Sequence, residues 1–284
     1  MLNTHSLFLI LLYTGSALIA HNDPCIYKGK ALSPNQRARL ISWQKKQVRA
    51  QTPYRLTQQI SQLQSNPILQ HATKQLRHKD DIAISWDALE KKLSQQKCKT
   101  FYLFGFGSLI NANNSLNAPC QPNINIPGIV FGVRRIYNMT HPQPEESCIG
   151  MPTQGHEDEE LRLDTHVTGN IDDYANGILL SFDIGTPQYR HLKDRERKYR
   201  LIPIKVVDYR SLWSSSRLYD AYILCGKEIP LEQTKNPHTL YNSIVIEGAQ
   251  RIEHQGNPGF LSLLLDTTYL PDQATRLRTW IIDK

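Results

Sequence analysis

The run Tyr102-Leu-Phe-Gly-Phe-Gly-Ser-Leu-Ile110 constrains this chain more than any other stretch. Its first half is apolar and aromatic through Phe106, the pattern of a buried strand. The strand gives way at once to Gly107-Ser108-Leu109. A strand that stops in Gly-Ser presents consecutive backbone N–H groups, and Gly107, lacking a Cβ, lets a small anion approach the main chain. Glycine after a strand is by itself only a turn signal, so the meaning of this loop depends on what else the chain carries.

Upstream of that strand the sequence is of another kind. Residues 26–100 hold 15 Lys/Arg against 4 Asp/Glu, whereas the whole chain has a net charge of only +7, so the remainder is acidic. Residues 34–97 are rich in Gln, Lys, Arg and Ser and poor in Gly; beyond Cys98, glycine, β-branched and aromatic residues take over. A boundary near Cys98 follows, with a basic helical extension over 21–98 and a second unit over 99–284. Ser33-Pro34 reads as an N-cap with proline at the first helical position. Leu40, Ile41, Trp43 and Val48 then recur at roughly helical spacing, as do Leu56, Ile60 and Leu63 before the break at Asn66-Pro67, and Trp86, Leu89 and Leu93. Two to four amphipathic helices are expected. Their basic excess reads as a solvated face; nucleic-acid binding lacks the aromatic–basic interleaving it needs.

Downstream, Ile126–Tyr137 reads as one strand kinked at Gly128, and Asn176–Asp183, Leu201–Tyr209 and Leu218–Cys225 as further strands. Thr186-Pro187 opens a helix leading to Glu196, Pro237–His254 is amphipathic, and Gly259–Leu265 is a buried helix. Strands dominate and helices punctuate them. The fold class is α+β: a mixed β-sheet closing into a small barrel with flanking helices, plus the N-terminal helical region. Glu196 falls at a helix-to-strand junction before a strongly apolar strand, where partial burial raises a carboxyl toward neutrality and suits it to general-base work. Charge pattern alone reads Asp194, Arg195 and Glu196 equally well as a solvated cluster.

Three stretches, in order, resemble the gamma-glutamylcyclotransferases, in particular their cation-transport-regulator-like branch. Phe106-Gly-Ser-Leu109 is similar to that family's Tyr-Gly-Ser-Leu loop, with Phe106 in the tyrosine position. Leu192, Asp194, Arg195, Glu196 and Tyr199 resemble the catalytic Leu-Asp-x-Arg-Glu segment, with Lys193 as an extra residue after Leu192. Pro237-His-Thr-Leu-Tyr241 and Ile246-Glu-Gly-Ala249 resemble the family's C-terminal helix. Together they cover roughly residues 100 to 255. The resemblance implies a six-stranded barrel-like α/β fold and conversion of a gamma-glutamyl compound to 5-oxoproline and a free amine, without cofactor or metal. It implies Glu196 as general acid/base, the backbone N–H groups of Gly107, Ser108 and Leu109 as the carboxylate clamp, and Phe106, Tyr199 and Tyr241 as further substrate-binding positions; for either tyrosine a core role fits equally well. The substrate implied is small: glutathione, a gamma-glutamyl peptide or a gamma-glutamyl amine. A non-catalytic binding module on the same fold is the alternative.

Other patterns carry less. Gly105-x-Gly107 lacks the third glycine of a dinucleotide fingerprint, and Ser108 is not in Gly-x-Ser-x-Gly. His156-Glu-Asp-Glu-Glu160 with Asp164 and His166 lacks the second histidine of a zinc helix and reads as a solvated acidic loop. Leu7–Ala20 is too short and interrupted to span a membrane but suits a signal-peptide core with small residues at Gly15, Ala17 and Ala20, although Met1–Ser6 has no Lys or Arg. Residues 1–20 are therefore expected to be a signal peptide and the protein secreted or periplasmic. Of five cysteines, Cys120 and Cys148 sit in loop-like sequence and form a plausible disulfide. Asn113-Asn-Ser115 and Asn138-Met-Thr140 are glycan acceptors if the route is a eukaryotic one.

Overall fold

A computed structural model describes residues 32–51, 56–111, 120–139, 159–213, 217–226 and 236–284. Helix α1 (Pro34–Ala50) starts where the sequence indicates: Ser33 accepts from the Gln36 N–H while Gln36 reaches back to the Ser33 N–H, a capping box. Helix α2 (Thr57–Gln64) buries Ile60 and Leu63. Asn66 does more than break it, since its side chain accepts from Ile68 and Leu69 and so starts α3 (Pro67–Gln75). After a short α4 (Lys79–Ile82), α5 (Trp86–Gln95) buries Trp86, Leu89 and Leu93 on one face.

The centre of the molecule is a closed barrel built from β1 (Thr100–Gly105), β2 (Ile124–Phe131), β5 (Tyr174–Asp183), β6 (Arg200–Asp208) and β7 (Leu218–Cys225), in the order β1-β5-β2-β6-β7. It closes where β7 lies parallel to β1, with Leu103 opposite Tyr222 and Phe104 opposite Ile223. Among the described residues it therefore has five strands, one fewer than the resemblance implies. The remaining strands, β3 (Val133–Met139), β4 (Glu159–Val167), β8 (Asn236–Pro237) and β9 (Thr268–Tyr269), form a second sheet ordered β8-β4-β3-β9.

Two expectations are corrected here. The single strand over Ile126–Tyr137 is two strands in different sheets, divided at Gly132, whose φ of 81° lies in the left-handed region that favours glycine. The Gly132 N–H donates to the Asp173 carbonyl (2.7 Å) and its carbonyl accepts from Thr168 and Gly169, which fixes the corner. Second, Glu159–Val167 is a strand, not part of a solvated acidic loop: Leu161, Leu163, Thr165 and Val167 are buried at a period of two. His156 lies outside the described residues, and no metal-binding group of His, Cys, Asp or Glu exists among the described ones.

Four helices follow or flank the strands: α6 (Pro187–Arg195), capped by Thr186; α7 (Thr239–His254), capped by His238; α8 (Phe260–Thr267); and α9 (Leu277–Asp283), which sequence reading omits. Gly259 opens α8 in the left-handed conformation (φ 74°). The helical N-terminal segment shares one apolar cluster with the barrel, from Val48 and Leu69 through Leu89 to Leu103 and Phe182. Trp86 meets Phe101 and Tyr189 edge-on at 6.1 and 6.2 Å, and Ile84 exchanges two backbone hydrogen bonds of 2.9 Å with Leu201. Buried Gln44 donates to the Thr239 carbonyl and Ser243 and accepts from Asn242, which ties α1 to the start of α7.

Among the described residues Cys98, Cys120 and Cys225 carry free thiols; the expected Cys120–Cys148 pair falls on Cys148, which lies outside the described residues. Of the glycan acceptors, Asn138 sits inside β3 with its Oδ1 sealed from water, and Asn113 lies outside the described residues. No helix among the described residues is long and apolar enough to cross a membrane.

Candidate active site

β1 ends at Gly105 and the chain turns at once. Gly107 is required by close approach: a Cβ there would stand 2.4 Å from the Tyr241 hydroxyl oxygen. Ser108–Ile110 forms one 3₁₀ turn, closed by Ile110 N–H to the Gly107 carbonyl (2.9 Å) and Asn111 N–H to the Ser108 carbonyl (3.1 Å). Helix α7 lies against this turn along one face. Tyr241 reaches it at the helix start, and seven residues later Gly248 lets the Asn111 backbone come within 2.8 Å of where a Cβ would be. Two helical turns separate those positions, so both fall on the same stripe.

Glu196 is the cap residue ending α6, and its backbone carbonyl accepts from the Trp86 indole (3.1 Å) and the Tyr199 N–H (3.0 Å). Its carboxylate is buried and lies 2.8 Å from Arg195 Nε, a contact of charge and proximity, since Nε is out of line for a hydrogen bond. Burial pushes the Glu196 carboxyl above its ordinary value, and Arg195 pulls it part of the way back. Arg195 also donates from Nη2 to Ser108 Oγ (2.9 Å). One guanidinium thus joins the carboxylate to the loop, across 87 positions of sequence.

Tyrosines and a second arginine surround this bridge. Burial pushes Tyr241 up to about 12, while Arg162, the Ser108 N–H at its hydroxyl and Arg195 pull it down. Its ring meets Tyr137 edge-on at 6.4 Å, and Tyr137 in turn donates to Asn242 (2.8 Å). Tyr199 is driven well above its ordinary value by burial and by the charge of Glu196, and its hydroxyl donates to the Met139 thioether. Arg162, on β4 opposite Met139, lies over the Tyr241 ring with its guanidinium carbon 5.9 Å from the ring centre. Cys120 belongs to the same group: burial raises its thiol, and Arg195 lowers it.

All seven residues singled out from sequence fall in or beside this cluster, in unequal roles. Glu196, Gly107, Ser108, Tyr199 and Tyr241 converge. Phe106 and Leu109 have buried side chains that pack into the core; Phe106 contributes its carbonyl, which accepts from Arg135 (3.4 Å). Sequence reading missed Arg162, Tyr137 and Cys120. The signal for Arg162 was present in the two-residue alternation of Leu161, Leu163, Thr165 and Val167, which makes a strand of the segment and puts Arg162 on its other face.

No protein-family model matches the sequence, and no curated protein matches it. The solved structures it is similar to are gamma-glutamylcyclotransferase-like. One described as a gamma-glutamyl cyclotransferase shows 11% identity over 58% of this chain and 86% of that one, with a TM-score of 0.39. A yeast gamma-glutamyl cyclotransferase specific to glutathione shows 13% identity over 58% and 94%, also with a TM-score of 0.39. An uncharacterized human protein shows 13% identity over 58% and 86%, with a TM-score of 0.38. At TM-scores below 0.5 the architecture rests on the strand order described above, not on this likeness.

Proposed function

We propose that the chain is a cyclotransferase that converts a gamma-glutamyl compound to 5-oxoproline and a free amine. The observation that carries this reading is Arg195, which contacts both the buried Glu196 carboxylate and Ser108 of the anion-accepting loop. In this reading the substrate α-carboxylate lies on the N–H groups of Gly107, Ser108 and Leu109, displacing the Tyr241 hydroxyl. The substrate is thereby curled so that its own α-amine attacks its γ-carbonyl. Both reacting groups belong to one molecule, so holding that conformation supplies much of the rate. Glu196 accepts a proton from the α-ammonium and returns it to the leaving nitrogen as the C–N bond breaks; a carboxyl held above its ordinary value suits both transfers. No cofactor enters.

Incubation of the purified protein with gamma-glutamyl peptides, glutathione and gamma-glutamyl amines, with 5-oxoproline as the readout, tests this directly. Product from any of them supports the reading, and none from the whole panel overturns it. A second reading, a non-catalytic binding module, draws on the Tyr241 hydroxyl at the Ser108 N–H and on Phe106, which brings no hydroxyl of its own. Ligand binding without product would favour it. The proposal includes export, on the apolar run Leu7–Ala20; protein from its native host is then expected to begin near Leu18 or His21, and intact Met1 on cytosolic protein would refute export.

A further inference from the structure

Two arginines lie in the site, and among the described residues only Arg195 has a hydrogen-bond or ion-pair partner. Arg195 is engaged by Glu196 and Ser108. The Arg162 side chain makes no hydrogen bond and no ion pair among the described residues; its Nε is sealed from water without an acceptor, and its guanidinium lies over the Tyr241 ring. The two carboxylates described nearby, Glu196 and Asp164, are committed elsewhere. Glu196 sits on Arg195, and Asp164 accepts from the N–H groups of Thr165 (2.7 Å) and Gly226 (3.3 Å). Burial lowers Arg162 to about 10, so it still carries its charge at neutral pH. Arg162 is only partly buried, and its contact with the π-cloud is worth about 0.5–2 kcal/mol, less than the paired charged hydrogen bonds a carboxylate would make to it.

The backbone is also shaped at this point. Tyr137 pairs with Leu163 and Met139 with Arg162, so Asn138 is an extra residue and β3 bulges opposite Arg162. Bulges re-aim neighbouring side chains and recur beside active sites. Arg162 and the Ser108 loop both bear on Tyr241, Arg162 through the ring and the loop through the hydroxyl. The site therefore has two positive anchors, the loop with its Arg195 and the unpaired Arg162. A gamma-glutamyl amine has one carboxylate and fills only the first.

We infer that Arg162 receives a second carboxylate, carried by the leaving amine, and so selects gamma-glutamyl amino acids or peptides over gamma-glutamyl amines. The inference rests on the cyclotransferase reading. A planar guanidinium binds carboxylate through two parallel hydrogen bonds, and a site built for such a pair rejects the analogue that lacks it.

The test compares gamma-glutamyl-alanine with gamma-glutamyl-alaninamide, which differ only in that carboxylate. Wild-type kcat/KM is expected to favour the acid by about 10- to 100-fold, the range for a charged hydrogen-bonded pair. Arg162→Met is expected to bring the ratio of the two substrates close to one, and Arg162→Lys to restore part of it. Equal turnover of both substrates by the wild-type protein overturns the inference, even if no variant folds. An unchanged ratio in a folded Arg162→Met also overturns it, because Arg162 would then hold a group common to both substrates. Absence of 5-oxoproline from either substrate, and from the wider panel, removes the cyclotransferase reading itself and this inference with it.

Discussion

Two arginines on neighbouring strands, 27 positions apart, occupy opposite situations. Arg135 on β3 is 1% exposed and donates to the Asn176 carbonyl and Oδ1, the Thr267 and Thr268 hydroxyls, and the Leu264 and Phe106 carbonyls, at 2.6–3.4 Å. It ties the turn after β1 to β5, α8 and β9 at the place where the barrel meets the second sheet. Among the described residues the Arg162 side chain, on the neighbouring strand β4, meets a tyrosine face and no acceptor. Burial depresses both, Arg135 to about 9 and Arg162 to about 10. Arg135 is fully buried and Arg162 partly so, but the sharper difference lies in their hydrogen bonds. A buried cation with every donor placed is a structural fastener, and one left without acceptors marks a place where the acceptor comes from outside the chain.

The largest effect that tests this contrast is the loss of Arg135. Arg135→Met removes six hydrogen bonds to buried acceptors, and removal of one partner from such a network costs about 3–5 kcal/mol, so the denaturation midpoint should fall steeply or the protein fail to fold. Trp86→Ala should cost a comparable amount by cavity formation, about 3–5 kcal/mol. It should also reduce kcat in whatever protein still folds, because the indole holds the Glu196 carbonyl. Deletion of the helical segment before β1 removes that same support along with Gln44, so denaturant melts of a truncated chain should show the barrel weakened.

A mid-sized effect concerns pH. The folded state raises the Glu196 carboxyl, so it favours the protonated form, and ionisation costs stability as pH rises through the folded value. A general base must be ionised, so kcat/KM should rise with pH through a limb lying above the ordinary glutamate value of about 4.3. Arg195→Gln removes the pull of the guanidinium and should move that limb further up; a limb unchanged by this substitution would detach Arg195 from Glu196. The smallest effect is on the other side of the contrast. Arg162→Met should leave the denaturation midpoint unchanged or slightly higher, since it removes a partly buried charge that no described residue pairs. A loss as large as that of Arg135→Met would erase the distinction between the two arginines.

How far the sequence could be read follows the range of the interactions. Caps and apolar stripes are local, so the Ser33-Pro34 and Thr186-Pro187 starts and the Trp86–Leu89–Leu93 face stand where the residues put them. The break at Gly132 was missed because Gly128, five residues into the same strand, drew the kink, while the positive φ falls on Gly132. The segment Glu159–Val167 was obscured by its neighbouring acidic residues. Glu196, Ser108 and Tyr241 were found through resemblance, but what joins them was not legible. Arg195 to Ser108 and Trp86 to Glu196 span 87 and 110 positions, and nothing in the local pattern encodes them. Arg162 was the least visible, because its significance lies in a partner it lacks, which no spacing of residues displays.

The central claim is that Glu196, held by Arg195 beside the Ser108 loop, moves the proton. Glu196→Gln keeps size and hydrogen-bonding capacity and removes basicity. In a 5-oxoproline assay on the best substrate, kcat should fall at least about 10²-fold, the lower end of general-base contributions. Calorimetric binding of the substrate should persist, because the Gly107–Leu109 backbone and Arg162 remain. A Glu196→Gln protein that forms 5-oxoproline at the wild-type rate would contradict the account.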